Sequence, residues 1–435
     1  MRREFRRDRL HRDSRPTEWR QERLFDVLPP LPEPLGEVDV ADVFEAYRRC
    51  RRSKRRSASA LAFEVDHEAN LVALWRDMNT GMYRPEPASA FIVQHPVRRE
   101  VFAATFRDRV VHHWLIGKIG DICERDFIHD TYACRDGRGT LFGIRRLERF
   151  IRQCSENYTR PCYVLRLDIS SFFMSIDTSL LLERVERLIL DGYQAPDVGR
   201  VIQILRTVIT SDPTSECRIR GRASDWHELP HGKSLFDSRR GCGLPIGNLT
   251  SQVLANVYLS PLDHYIKGAL GFRFYGRYVD DLVLVHHSRK ELRTAQRRIE
   301  AYVREHLHLK IHPRKVWLQE QSHGVRFLGV VIKPGRTYPG SRTKRGFTEA
   351  LHRHRLEQWE SPSRERLDQM VASVNSYLGL LQHFSTTRLR RRMLSSELGR
   401  WWEFVYTGAG FRVIRLRPGT PAQGTAFAGG ARRAA

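Results

Sequence analysis

The stretch Tyr278-Val279-Asp280-Asp281 decides the reading of this chain: two adjacent carboxylates at what reads as the tip of a β-hairpin. Phe272, Phe274 and Tyr275 precede it, and Leu282-Val283-Leu284-Val285 follows. Apolar, β-branched and aromatic runs around a short polar break signal a hairpin. Asp favours turns, so an isolated Asp-Asp reads first as a solvated bend. Here apolar strands close in on both sides. Two anions that repel each other while losing water are costly to hold together, and a divalent cation is the natural compensation.

A second acid changes the balance. Cys162-Tyr163-Val164-Leu165-Arg166-Leu167-Asp168-Ile169 reads as a strand ending in a carboxylate, with Ser170-Ser171-Phe172-Phe173 directly behind it. One carboxylate at a strand end and two at a hairpin can hold a pair of hard cations through oxygen ligands. Two such ions about 4 Å apart clamp the attacking and leaving oxygens of an in-line phosphoryl transfer. The expectation is that Asp168, Asp280 and Asp281 converge on a shared ion pair.

Taken with Leu167-Asp168-Ile169-Ser170-Ser171-Phe172-Phe173, the hairpin resembles the palm of reverse transcriptases. Gly243-Leu244-Pro245-Ile246-Gly247-Asn248-Leu249-Thr250-Ser251-Gln252 is similar to the version found in diversity-generating retroelements and in related bacterial defence-associated enzymes. Group II intron and retron enzymes usually carry Pro-Gln-Gly there and end in Ser-Pro. Arg107 to His113, Thr131 to Arg135 and Arg277 to Asp281 carry the same likeness. The motifs follow the family's order between about residues 43 and 405.

The resemblance implies an α+β right-hand polymerase, with fingers, a palm whose antiparallel sheet carries the acids, and a helical thumb. The implied activity is that of an RNA-directed DNA polymerase, a nucleotidyltransferase copying a structured RNA into cDNA by two-metal phosphoryl transfer. In a diversity-generating retroelement such copying is error-prone. A defence-associated, anti-phage reverse transcriptase is the alternative. A non-catalytic RNA-binding scaffold is the alternative of another class, opposed by the presence of all three acids. Implied partners are an RNA template, a DNA or RNA primer, deoxynucleoside triphosphates and a small basic accessory protein.

Residue roles follow from the same resemblance. Asp168 and Asp280 would bridge two Mg²⁺ ions, for which Mn²⁺ can substitute, with Asp281 assisting and the Ile169 carbonyl adding a ligand. Phe173 takes the place of a ring that collides with a ribose 2′-hydroxyl, although an aromatic beside Phe172 also reads as core. Ile246 stands where a glutamine commonly contacts the incoming nucleotide. An apolar side chain cannot make that contact, so reduced fidelity is expected. Gly247 and Gln252 share this nucleotide-binding segment, and Gly243 and Pro245 form a constrained turn that permits close approach of a nucleic acid. Arg99 and Arg109 fall on segments that bind triphosphate, where the guanidinium fork suits phosphate oxygens. Lys315 matches an acid that protonates pyrophosphate. Tyr278, Phe327 and Gly329 fall on primer and template positions, Phe327-Leu328-Gly329 resembling the primer-grip turn.

Bulk composition agrees with a polyanionic partner. The 435 residues carry 74 Lys plus Arg against 50 Asp plus Glu, a net charge of +24 that favours nucleic acid. At 41% hydrophobic residues a sizeable core is available and global disorder is excluded. Seven scattered cysteines without a Cys-x-x-Cys pair suit a reducing cytosol better than a disulfide framework. His306, His308 and His312 lack the cysteine spacing of a zinc site. Neither a signal-peptide core nor an apolar run of about 18 residues is visible, so a cytoplasmic protein without a membrane partner is expected.

Along the chain, residues 1–37 read as a basic, Pro-rich arm, either gripping RNA or simply solvated. Fingers are expected over 38–160 and the palm over 161–335. Within the palm, 211–240 reads as a polar surface insertion, because few apolar residues could anchor it. Leu367, Met370, Val371, Val374, Leu378 and Leu381 form one helical apolar stripe in a thumb spanning 336–407. Arg388, Arg390, Arg391 and Arg392 follow it, suited to a duplex backbone. Residues 408–435, rich in Gly, Ala and Pro, are expected to be disordered.

Overall fold

The computed structural model describes residues 29–52, 57–94, 97–356 and 363–418, in an α+β arrangement. These residues divide into two compact units. The first takes the chain up to Phe150 together with Tyr163–Leu318, and the second takes Ile151–Cys162 together with the chain from Gln319. The first unit takes in most of the residues expected as fingers and palm, and the second takes those expected as thumb.

In the first unit the strands are β1 (Ala88–Val93), β2 (Arg99–Ala103), β3 (Tyr163–Ile169), β4 (Cys217–Ile219), β5 (Tyr275–Tyr278), β6 (Asp281–His286) and β7 (Ile311–Glu320). They form one sheet of order β2-β1-β4 and another of order β5-β6-β3-β7. β3 and β6 are antiparallel, with Leu165 opposite Leu284, Leu167 opposite Leu282 and Asp168 opposite Asp281. Alternation does the sorting. Leu165, Leu167 and Ile169 are fully buried, so Arg166 and Asp168 stand on the other face, and a one-residue slip would exchange the two sets. The helix Leu249–His264 is buried on nearly all sides, as expected of an internal helix that is apolar around most of its circumference. It packs beside the helix Phe106–Asp126, whose first turn is capped by the Thr105 side chain accepting from the Asp108 N–H.

The segment 211–240 departs from expectation. It is not a loosely attached surface excursion: β4 runs parallel to β1, and Trp226 is fully buried. The buried Glu100 carboxylate on β2 accepts from Trp226 Nε1 at 2.6 Å, Ser234 Oγ at 2.7 Å and the Leu235 N–H at 2.5 Å. One large ring and one shared acceptor supply the anchoring that a count of apolar residues misses. Residues 29–37 also pack down, since Arg206 Nη2 donates to the Pro29 carbonyl and the Arg200 N–H to the Leu35 carbonyl. The arginine run of the expected arm, at residues 1–28, lies outside the described residues.

The second unit contains β8 (Val325–Phe327), β9 (Val330–Lys333) and β10 (Arg336–Pro339) in the order β10-β9-β8, then β11 (Val405–Thr407) paired with β12 (Ile414–Leu416). Between them run the helices Ser341–Leu356, Arg364–Leu381 and Thr387–Glu397. Leu367, Met370, Val374, Leu378 and Leu381 are all buried, with Val371 packed at the margin of their cluster. The disorder expected from Gly408 is corrected as far as residue 418. β12 is held by Asn375, whose Nδ2 donates to the Ile414 carbonyl and whose Oδ1 accepts the Ile414 N–H. Residues 419–435 lie outside the described residues. Of the four thumb arginines, Arg388, Arg391 and Arg392 are exposed, whereas Arg390 is buried and turned away from any external duplex. Among the described residues no helix is long and apolar enough to cross a membrane.

Candidate active site

The hairpin between β5 and β6 turns through Val279 and Asp280, and Val279 sits at φ +55°, a rare conformation for a β-branched residue. Arg277 holds it there by donating from Nη1 to the Val279 carbonyl at 2.8 Å. The same Nη1 also donates to the Asn256 side chain, Nε and Nη2 bind Asp263 on the helix Leu249–His264, and Tyr275 Oη donates to the same Asp263 carboxylate. At Gly276 a Cβ would collide with the Tyr132 ring, so only glycine lets β5 lie this close. Sequence reasoning used Arg277 only as a motif flank and missed Asp263. A lone Asp inside an apolar helix was the available signal, since a buried carboxylate demands a partner.

Across the sheet Asp168 and Asp281 face each other directly, with Asp280 adjacent and its carbonyl accepting the Ile169 N–H at 3.3 Å. Like charges in cross-strand register destabilise a sheet unless they are neutralised. Lys315 Nζ on β7 donates to both Asp168 oxygens, at 2.8 and 3.0 Å. Arg166 Nη2 donates to both Asp281 oxygens, at 2.8 and 3.0 Å, while its guanidinium lies over the Trp317 ring at 4.9 Å. Asp280 has no ion pair among the described residues. Burial, then the Asp168 charge, push its carboxyl up to about 6. Burial also raises Asp281, with the Arg166 charge opposing.

Backbone register thus brings Asp168, Asp280 and Asp281 to neighbouring positions at the ends of β3 and β6. Among the described residues no three acid, imidazole or thiolate groups form a ready-made metal cluster. Asp168 and Asp281 are instead turned onto Lys315 and Arg166, the cations nearest to them on their own sheet face. Arg166 was overlooked, though strand alternation already placed it beside Asp168.

The expected nucleotide-binding residues gather in the same unit. Phe173 is half-buried, meets Phe172 edge to face with centroids 5.4 Å apart, and its carbonyl accepts the Leu244 N–H at 2.8 Å. That bond ties Phe173 to the Gly243–Gly247 loop. The loop is tied in turn to β2, where the Phe102 N–H donates to the Ile246 carbonyl at 2.9 Å. Gly247 has φ +129°, and a Cβ there would stand 2.8 Å from the Phe102 carbonyl oxygen. Gly243 has φ +108°, Pro245 is half-buried, and the Ile246 side chain, like Phe173, packs at the margin of the apolar cluster that includes Phe102, Trp226 and Leu235. Exposed Gln252 accepts from Cys134 Sγ at 3.2 Å. Arg99 is exposed at the start of β2 and Arg109 is half-buried, its basicity lowered by burial; neither pairs with the three acids. Tyr278 Oη accepts from Thr140 Oγ1 at 3.4 Å. Phe327 and Gly329 belong to the second unit, where Phe327 is buried in β8 and Leu328 and Gly329, at φ +44° and +85°, turn the chain into β9.

Comparison with known proteins gives these features a context. Protein YkfC of Escherichia coli (strain K12) is 24% identical over 192 residues, covering 44% of this chain and 43% of that protein, so the chain spans less than half the length of this curated relative. Telomerase from Candida albicans, solved with a TWJ fragment of telomeric RNA, aligns at TM-score 0.42 and 11% identity over 72% of this chain and 57% of that one. Apo telomerase from Candida tropicalis, truncated from its C-terminal domain, aligns at TM-score 0.42 and 10% identity over 59% and 56%. Both likenesses are too loose to bear on function. Residues 97–332 match the family described as reverse transcriptase (RNA-dependent DNA polymerase), a stretch that holds Asp168, the Gly243–Gly247 loop and the Asp280–Asp281 hairpin. With more than half of its length matched, the chain belongs to the reverse transcriptase family.

Proposed function

We propose that the chain is an RNA-directed DNA polymerase whose active centre is the face of β3 and β6 carrying Asp168, Asp280 and Asp281. The observation that carries this reading is the register that sets Asp168 opposite Asp281 and leaves Asp280 half-buried with no cation of its own. Three hard oxygen donors with a charge deficit fit divalent magnesium, with Mn²⁺ as substitute. Asp168 and Asp280 would hold it, with Asp281 and the Ile169 carbonyl assisting. When bound, the metal pair activates the primer 3′-hydroxyl and stabilises the triphosphate.

The chain's own residues do the rest. Lys315, whose Nζ donates to the Asp168 carboxylate, would give a proton to departing pyrophosphate. Phe173 walls off a ribose 2′-hydroxyl. Arg99 and Arg109 take phosphate oxygens, and Tyr278, Gly243, Pro245, Gly247 and Gln252 border the template and nucleotide. Gly329 would meet the primer, with Phe327, buried in β8, supporting that turn. The net charge of +24 suits an RNA template and a DNA or RNA primer.

Within the family, Gly-Leu-Pro-Ile-Gly-Asn favours a diversity-generating retroelement enzyme of the cytoplasm, making error-prone cDNA with a small basic accessory protein; a defence-associated enzyme is the second reading. Primer extension on an RNA template with deoxynucleotides tests the activity. Tight RNA binding without extension would turn the reading to a non-catalytic scaffold. Sequencing of the RNA that co-purifies with the protein, with its cDNA, separates the two subclasses, since a retroelement template yields substitutions opposite adenines.

A further inference from the structure

The segment 211–240 reaches the catalytic face. Glu100 clamps Trp226, Ser234 and Leu235, which fixes the turn between them. In that turn the Lys233 N–H donates to the Pro230 carbonyl at 3.1 Å. The turn lies against the end of β3: a Cβ at Gly232, which has φ +71°, would sit 3.2 Å from Ser171 Oγ, three residues beyond Asp168. Lys233 itself is half-buried, and its ammonium makes no hydrogen bond or ion pair with the described residues. Its charge is nonetheless felt at Asp280, where it opposes the effect of burial.

The same segment serves the nucleotide side twice more. Its Trp226, Leu229 and Leu235 belong to the apolar cluster against which Phe173 and Ile246 pack. Arg220, directly after β4, is close enough for its charge to act on Arg109. A half-buried ammonium with no anion of its own loses hydration without return, unless a ligand supplies the anion. Lysine is a compact point charge suited to phosphate.

We propose that Lys233 binds the triphosphate of the incoming nucleotide beside Asp280, so that the segment 211–240 is a working wall of the nucleotide pocket. This rests on the polymerase reading, so one arm of the test is independent of turnover. The full-length protein is treated with pyridoxal 5′-phosphate, trapped with borohydride, and its labelled lysines are mapped by peptide mass spectrometry. Excess deoxynucleoside triphosphate should suppress labelling of Lys233 severalfold; unsuppressed labelling of Lys233 overturns the proposal. In steady-state extension, Lys233→Met should raise the nucleotide KM about ten-fold with kcat little changed, and Lys233→Arg should restore most of it. A KM unmoved in a Met variant that melts like the parent also overturns it. A parent protein that extends no primer counts against the polymerase reading instead, while the labelling arm still decides whether Lys233 meets a nucleotide.

Discussion

Arg277 and Asp263 form an ion pair with neither side chain exposed, the guanidinium donating from Nε at 2.8 and 3.1 Å and from Nη2 at 2.6 Å. The same guanidinium secures the strained Val279 carbonyl, so one buried contact carries the hairpin that presents Asp280. Arg277→Met should cost about 3–5 kcal/mol, because it leaves Asp263 charged and buried. Arg277→Met with Asp263→Leu should recover part of that loss. Urea denaturation checks both, and a single variant as stable as the parent would contradict the account.

Asp280→Asn removes an anion from between Asp168 and Asp281. Synthesis should fall at least about 100-fold, while the melting temperature holds or rises because repulsion is relieved. Millimolar Mg²⁺ should raise the melting temperature of the parent and do so less in the variant. Thermal melts with and without the ion, beside primer extension, test the pair of outcomes; near-normal synthesis by the variant would remove Asp280 from the active centre.

Asp108 gives a pH signature away from the acids. Burial pushes its carboxyl from 3.8 to about 6, against the Glu86 N–H and the Arg107 and Tyr83 side chains. The folded chain thus holds this proton more tightly than the unfolded one. Its contribution is present below about pH 4, is lost as pH rises towards 6, and amounts to ~3 kcal/mol across that window. Asp108→Asn should flatten this part of the stability profile, read as the difference between variant and parent at pH 4.5 and 6.5. A constant difference would show that Asp108 titrates normally.

Glu100→Ala strands three donors, at about 1–3 kcal/mol each. The expected result is rapid proteolytic cleavage within 211–240, with the remainder of the chain still protected. Uniform cleavage, or none, would mean that the segment is held by other means.

If Ile246 borders the incoming nucleotide as proposed, Ile246→Gln supplies a polar group there and should lower misincorporation in sequenced cDNA. Because Ile246 packs against the apolar cluster that includes Phe102 and Trp226, the change should also cost about 1–3 kcal/mol. Identical error spectra would assign Ile246 to packing alone.

The α+β right-hand polymerase class was legible because its signal is local. Alternation in Leu165, Leu167 and Ile169 fixes the face of Asp168, and three- and four-residue spacing finds the helix Arg364–Leu381. What stayed hidden depends on pairing across long separations. Nothing near residue 226 announces that its indole will meet Glu100, and nothing near Asp281 announces Arg166 as its partner. Composition also misled at Gly408, where the chain still pairs as β12 with β11 and Asn375 satisfies both backbone groups of Ile414.

The parallel pairing of β1 with β4 has a consequence for how the chain acquires its form. β1 gains that neighbour only after β2, β3 and the five helices that lie between β1 and β4 have been made, so its open edge must wait during synthesis. Closing so long a loop before any contact rewards it is slow, and a waiting edge invites pairing with other chains. That edge stays open until Cys217 emerges, although this sheet still closes before the acid-bearing sheet gains β7, and a chain halted before residue 217 should aggregate rather than rest as a half-formed enzyme.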